Sequence, residues 1–251
     1  MSRALPLPIP AWGRLWAVPE SGAGPGRNCL RTEVAATDPV LAFDARSGKS
    51  SADAVRGDVV GAGAVEMCVL DAAVKEAAVA RFLREHPEME QAACDHPALQ
   101  GCADVDWSRI AGCPAGVPAL LRGLLDEAVG PEALPVLENL LMNSVFHLSA
   151  VMPAALPFLI RLAAVPDIAV RPDLVGILVL AAELSPSVDA DDERQVLLLG
   201  KDSDHPEREW CRAAFAAHAS ALRALLEDET LAAGLISTDD RECLLRALEP
   251  Q

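Results

Sequence analysis

The stretch ALPFLIRLAAVPDIAVRP, residues 155–172, decides the expected fold. Its leucines, isoleucine and phenylalanine recur at the three- and four-residue steps of a helical face, and Pro157 stands where we expect that helix to begin. A proline in the first turn costs no hydrogen bond, because the first amides of a helix have no intrahelical acceptor. Pro166 and Pro172 then separate this helix from the next. The stretch therefore predicts two successive helices joined by a short turn.

The same pattern occurs twice upstream, in VPALLRGLL (residues 117–125) and LPVLENLLM (residues 134–142). We therefore predict helix starts at Pro118, Pro135 and Pro157, so that two helices and their turns take 39 residues. Repeats of about 40–47 residues built from helix pairs are typical of HEAT and armadillo arrays. The chain also has 4% aromatic residues and no tyrosine, which favours packed helices over sheets. The predicted class is all-α, a HEAT-like α-α superhelix, that is, a helical-repeat solenoid.

The chain divides by composition into two parts. Residues 1–60 are rich in proline, glycine and serine and show no sustained helical period, so we expect an irregular or flexible N-terminal arm. Residues 61–251 are predicted to form the helical-repeat domain. We expect its first helix to run from about Ala64 and to end at His86. We expect Ser237 or Thr238 to cap its last helix, and Leu244, Leu245 and Leu248 to face inward.

Acidic residues dominate the chain, with 37 against 21 basic ones and a formal net charge of −16. The last third is the most acidic, since residues 166–251 hold 18 acidic and 8 basic side chains. Such a surface repels phosphates, so we expect no nucleic-acid partner, and a HEAT-like DNA-repair glycosylase is disfavoured. A basic protein partner is favoured, although acidity can also serve solubility alone.

The sequence indicates a cytoplasmic protein without a membrane partner. The seven cysteines are scattered without a C-x-x-C pair, which fits reduced thiols. The N-terminus has prolines at every second position where a signal peptide needs an apolar run. The longest apolar run, residues 174–182, is shorter than the about 20 residues of a membrane span. We expect no cofactor and no metal, because the spacing of Cys94, His96, Cys102 and Cys113 is not that of a structural zinc site.

Three features of residues 107–184 together indicate a known type of domain. Trp107 precedes the helix of VPALLRGL, His147 stands in a turn between helices, and ALPFLIRLAA is followed by Arg171. With these features the stretch resembles a HEAT-repeat domain of actinobacterial proteins of unassigned function, some of which are similar to immunity proteins of toxin systems. The resemblance implies a helical stack that binds another protein.

His147, Arg171 and Glu183 are the candidate binding residues of this stretch. His147 is either a functional group on the concave surface or a turn histidine that hydrogen-bonds a helix terminus. Glu183 lies in the apolar run LVGILVLAAEL, where an unpaired carboxylate is costly to bury. We expect Arg171 or Arg161 to pair with it, or else a raised pKa and a ligand-facing role.

The acidic run DADDER adds Asp191, Asp192 and Glu193 as candidates for receiving a basic partner. The alternative is a solvated loop that complements the positive end of the following helix.

No Ser-His-Asp or Cys-His set is apparent, so catalytic residues stay unassigned. Two hypotheses of function remain. The first is a protein-binding scaffold, an immunity or antitoxin-type inhibitor of a basic partner. The second is a small-molecule-binding protein or enzyme of specialised metabolism or self-resistance, with a pocket near Glu183.

Overall fold

A computed structural model describes residues 72–91, 95–232 and 236–249. All of them belong to one unit, Ala64–Gln251, and the predicted N-terminal arm, residues 1–60, lies outside the described residues. The described ranges contain eleven α-helices and one two-stranded sheet, which confirms the all-α class. None of these helices is long and apolar enough to cross a membrane.

Within the described residues, three single turns of 3₁₀ helix lie between α2 and α3, and another precedes α8. In chain order they are α1 (Ala72–Glu85), α2 (Pro87–Gln91), α3 (Val117–Gly123), α4 (Gly130–Leu141), β1 (Met142–Ser144), β2 (His147–Leu148), α5 (Val151–Ala163), α6 (Arg171–Leu184), α7 (Glu193–Leu199), α8 (Glu207–Ala217), α9 (Ala219–Glu227), α10 (Glu229–Ala232) and α11 (Thr238–Ala247).

The α5 helix lies at the centre of the unit. Nine of its thirteen residues are buried, because its sequence is apolar on nearly all sides. It packs most extensively against α6 and α8, and also contacts α4 and α9. The α6 helix, likewise apolar on most of its surface, packs against α5 on one side and α11 on another. The two helices predicted from residues 155–172 therefore form the core.

The prediction of helix starts from the prolines is correct at one position and wrong at two. Pro118 is the second residue of α3, as expected. Pro135 and Pro157 instead lie inside α4 and α5, each several residues after the start. The prolines in the first turns of these helices are Pro131 and Pro153. The repeat spacing deduced from the interior prolines therefore does not measure the distance between helix starts.

Each interior proline removes the amide that would bond the carbonyl four residues earlier. That carbonyl belongs to Pro131 in α4 and to Pro153 in α5. Pro131 and Pro135 are exposed, while Pro153 and Pro157 are half-buried, so water can reach the side of each helix where the bond is missing. The cost of the lost hydrogen bond is reduced in this way, and both helices continue.

The carbonyl groups at the C-terminal end of α4 accept hydrogen bonds from two other parts of the chain. Ser149 donates from its amide to the carbonyl of Leu141 at 2.8 Å and from its hydroxyl to the carbonyl of Leu140. Lys75 of α1 donates to the carbonyl of Met142 at 2.7 Å and to Asn143 Oδ1 at 3.2 Å. Lys75 is thus buried on the inner face of α1. A cation suits this position because the carbonyl end of a helix is negative.

The chain end of the unit follows the prediction more closely. Ser237 caps α11 by accepting a hydrogen bond from the amide of Asp240 at 3.1 Å, and the Asp240 side chain in turn accepts from the Ser237 amide. This confirms the predicted cap. Leu244 and Leu248 are buried as expected, but Leu245, also predicted to face inward, is exposed.

Candidate functional site

His147 lies in a small hairpin between α4 and α5. The antiparallel strands β1 and β2 pair Met142 with Leu148 and Ser144 with His147, with an irregularity between the pairs. The Ser144 hydroxyl and His147 Nδ1 are 2.7 Å apart and share a hydrogen bond. The backbone of Leu199, the last residue of α7, lies close enough to His147 to act on the pKa of its ring.

A second histidine stacks on the first. The rings of His147 and His205 have centroids 4.5 Å apart and are inclined by 30°. His205 precedes α8, and its Nδ1 lies 2.8 Å from Oε1 of Glu207, the first residue of that helix. Glu207 is buried, so this carboxylate is matched by the imidazole beside it. The pair of rings joins the hairpin to the start of α8.

Arg208, the second residue of α8, lies in the same group of polar side chains. Its guanidinium is 3% exposed, with Nη1 3.0 Å from Asp202 Oδ1 and 3.4 Å from the carbonyl of Gly200. Its Nη2 is buried and has no hydrogen-bond partner among the described residues. Gly200 has φ 70°, and a Cβ there would lie 2.5 Å from Nε2 of His205. A glycine is therefore required for both the backbone turn and the space that the ring occupies.

The surroundings of His147 lower the pKa of its ring. Burial lowers its pKa, and the neighbouring His205 and Arg208 lower it further, while Glu207 and the Leu199 backbone act in the opposite direction. We name the set His147, His205, Glu207, Arg208 and Asp202 the histidine cluster.

The histidine cluster does not form a catalytic triad. In a triad one imidazole contacts both the nucleophile and the carboxylate. Here Ser144 contacts His147, whereas Glu207 contacts the other ring, His205. Ser144 is also only 8% exposed, which leaves its hydroxyl little access to a substrate. The arrangement instead joins three elements by polar contacts.

Arg171 has a structural position at the start of α6. It is 4% exposed, donates from Nε to the carbonyl of Ala163 at 2.7 Å and pairs with Asp228 at 2.6 Å. The expected pairing with Glu183 is wrong, because twelve residues along one helix separate the two by about 18 Å. Arg161 instead donates to the carbonyl of Pro157 and lies over the ring of Phe158.

Glu183 is exposed, contrary to the expected burial. It lines an open groove of about 400 Å³ between the end of α6 and α11, together with Asp240, Cys243 and Arg246. Burial, with the charges of Glu183 and Asp240, raises the pKa of the Cys243 thiol to about 11. The thiol is therefore protonated at neutral pH and is a poor nucleophile. Neither His147 nor Arg171 lines this groove.

The acidic run leads into α7, whose first residue is Glu193, and one of its carboxylates has a structural role. Asp192 caps α7 by accepting from the amides of Arg194 and Gln195 at 3.0 and 3.1 Å. Asp191 and Glu193 are exposed, so they remain available to a partner.

Sequence reasoning missed His205, Glu207 and Arg208. The i, i+2 spacing of His205 and Glu207 before a helix was the one signal present, and it is common in proteins.

Within the described ranges, no three His, Cys, Asp or Glu side chains are grouped so that they could hold a metal ion. In comparisons with models of protein families, with curated proteins and with solved structures, the chain matches none of them.

Proposed function

We propose that the chain is a protein-binding module on a HEAT-like stack, an immunity or antitoxin-type inhibitor of a basic partner protein. The contact pattern of the helices supports the stack. The α5 helix packs on α8, and its neighbour α6 packs on α11, while α5 and α6 also pack on each other. Two layers that each continue from one helix to the next are what a helical-repeat array requires.

The observation that carries the proposal is the exposure of the acidic C-terminal third. Most of the 18 carboxylates of residues 166–251 are exposed, and Glu207 is the buried one among those described. Carboxylates crowded at a surface repel one another, and a basic partner relieves that repulsion. Complementary charge also accelerates association, which suits an inhibitor that must capture its target quickly.

The proposal also draws on the resemblance of residues 107–184 to actinobacterial HEAT-repeat proteins. A cytoplasmic location is part of it too, and it agrees with the free thiols of Cys102, Cys113, Cys211 and Cys243. No catalytic residue is assigned, because the histidine cluster lacks the geometry of a triad.

The test is an affinity purification of the tagged full chain from its own cell extract at low and at high salt, followed by mass spectrometry. We expect one stoichiometric basic protein that is retained at low salt and lost at high salt, because surface charges are screened. A retained acidic protein, or a complex that is insensitive to salt, would contradict the proposed partner chemistry. Retention of no protein would contradict protein binding itself.

The second candidate is a small-molecule-binding protein or enzyme, and the groove beside Glu183 favours it. Arg246 supplies a cation at the groove for an anionic group, and Cys243 lies beside it. A ligand that raises the melting temperature of the chain, with the rise lost in Arg246→Ala, would favour this candidate. An unchanged rise in that variant would place the ligand elsewhere.

A further inference from the structure

The α7 helix, ERQVLLL, contains no buried residue although its second half is entirely apolar. Leu197 is 84% exposed and Leu198 is 43% exposed. A helix of seven residues is not stable by itself in water, so contacts at its ends hold it in place. Asp192 caps its start, and Arg208 donates to the carbonyl of Gly200 directly after its end.

Two neighbouring elements also expose apolar side chains. Val145 and Phe146 form the tip of the β1–β2 hairpin and are 56% and 37% exposed. Trp210, in the first turn of α8, is 52% exposed. Soluble proteins expose single apolar residues often, but five on three connected elements are characteristic of an interaction surface.

The histidine cluster connects these three elements. Its His147 belongs to the hairpin and follows Phe146 directly, while Arg208 contacts the carbonyl of Gly200 just after α7. Glu207 and Arg208 begin α8, three residues or fewer before Trp210. The cluster therefore holds the hairpin, the end of α7 and the start of α8 in fixed relation before any partner arrives. Such preorganisation reduces the entropy lost on binding.

The chain around these side chains is strongly acidic. Residues 189–209 include eight acidic and three basic side chains. One of the three, Arg208, is buried against Asp202 and so does not offset the surface charge. The exposed carboxylates of this segment are those of Asp189, Asp191, Glu193, Asp204 and Glu209.

We propose that α7, the hairpin tip and the start of α8 form a docking surface for a basic amphipathic segment of the partner protein. We name Val145, Phe146, Leu197, Leu198 and Trp210 the α7 surface. Leucine-like side chains of the partner pack on it, and lysine or arginine side chains pair with the surrounding carboxylates. The inference rests on the proposed function and names the site and the partner chemistry for it.

The experiment uses the full chain and two helical peptides of equal length with leucines at the same positions. One peptide carries lysine at its polar positions, and the other carries glutamate. Binding is measured by isothermal titration at low and high salt, and the bound region is located by amide hydrogen exchange. The variants are Leu197→Ser and Trp210→Ala, with Leu245→Ser on α11 as the matched exposed control.

We expect the lysine peptide to bind, the glutamate peptide not to bind, and the affinity to fall as salt rises. Exchange in α7 and the hairpin should be slower with the lysine peptide bound than in the free chain. Leu197→Ser and Trp210→Ala should each weaken binding about tenfold or more, as central apolar contacts do. Leu245→Ser should bind as the unchanged chain does. Equal far-UV circular dichroism of all variants shows that they are folded.

Four outcomes would overturn the inference. If the lysine peptide binds equally to all variants and protects α11, the surface is wrong while a basic partner remains supported. If neither peptide binds, the proposed chemistry of the docked segment is wrong, and the affinity purification decides separately whether a protein partner exists. Protection of α7 that grows with protein concentration alone would make a second copy the occupant. If the glutamate peptide binds as tightly as the lysine peptide, the basic chemistry assigned to the partner is wrong.

Discussion

Replacing Glu138 with glutamine should stabilise the protein above neutral pH. Glu138 lies half-buried on α4, and burial, together with the nearby charge of Asp173, raises its pKa from 4.5 to about 7. Because the pKa is higher in the folded state, folding strengthens proton binding at this carboxyl. Stability from this group is present below about pH 4.5 and is lost as the pH rises through about 7.

The magnitude follows from the shift in pKa. A shift from 4.5 to about 7 corresponds to a ceiling of about 3 kcal/mol, at about 1.4 kcal/mol for each pH unit. Glu138 is only half-buried, so solvent screens part of the interaction and we expect about 1.5 kcal/mol. Glutamine keeps the size of the side chain and removes the charge, so the variant should regain this amount at about pH 8.

The measurement is urea unfolding of the full chain, followed by far-UV circular dichroism at about pH 8 and about pH 4. The midpoint of Glu138→Gln should exceed that of the unchanged chain at the higher pH and match it at the lower. Glu242→Gln, at an exposed position on α11, should show no such gain. Asp173→Asn should regain a smaller part of the free energy of unfolding at about pH 8, because Asp173 is the smaller cause of the raised pKa of Glu138. Equal midpoints at pH 8, or a gain that persists at pH 4, would refute the reasoning.

Three further substitutions test the fold. Asp228→Ala leaves the buried guanidinium of Arg171 without its carboxylate, and urea unfolding should show a loss of about 3 kcal/mol. Gly200→Ala forces a positive φ on a residue with a Cβ and presses it against His205, so thermal unfolding should show a loss of about 3 kcal/mol. Pro135→Ala restores an amide in the interior of α4, and urea unfolding should show a gain of about 1 kcal/mol.

Matched variants separate these effects from general disturbance. Pro118→Ala, in the first turn of α3, should bring no gain, because no hydrogen bond is missing there. Arg171→Met combined with Asp228→Ala should be less destabilised than Asp228→Ala alone. A gain for Pro118→Ala equal to that for Pro135→Ala would show that interior strain is not the cause.

The helical class was predictable because apolar residues at helical spacing recur through residues 117–184. The helix starts were not, because a proline with apolar neighbours looks the same in a first turn and in a helix interior. What separates the cases is upstream: Gly130 and Val151 already begin helices several residues before Pro135 and Pro157. A helix tolerates a proline in its first turn and also, where the proline faces water, in its interior. The local pattern therefore cannot decide between these two positions.

The candidate site was predictable only at His147. Its partner His205 is 58 residues away, and tertiary packing alone brings their rings together. Glu183 was misjudged because α6 is apolar on nearly every side, so periodicity does not identify its exposed face. The packing of α11 against α6 determines the surroundings of Glu183, and local sequence does not contain that information.

Lys75 makes the unit convenient to probe by amine chemistry. The chain has three lysines, Lys49, Lys75 and Lys201, and burial lowers the pKa of Lys75, which is hydrogen-bonded to the start of β1. Its amine is therefore shielded while α1 stays docked, and it becomes reactive as soon as α1 detaches. The rate of acylation at Lys75, compared with the exposed Lys201, reports how often α1 leaves the hairpin.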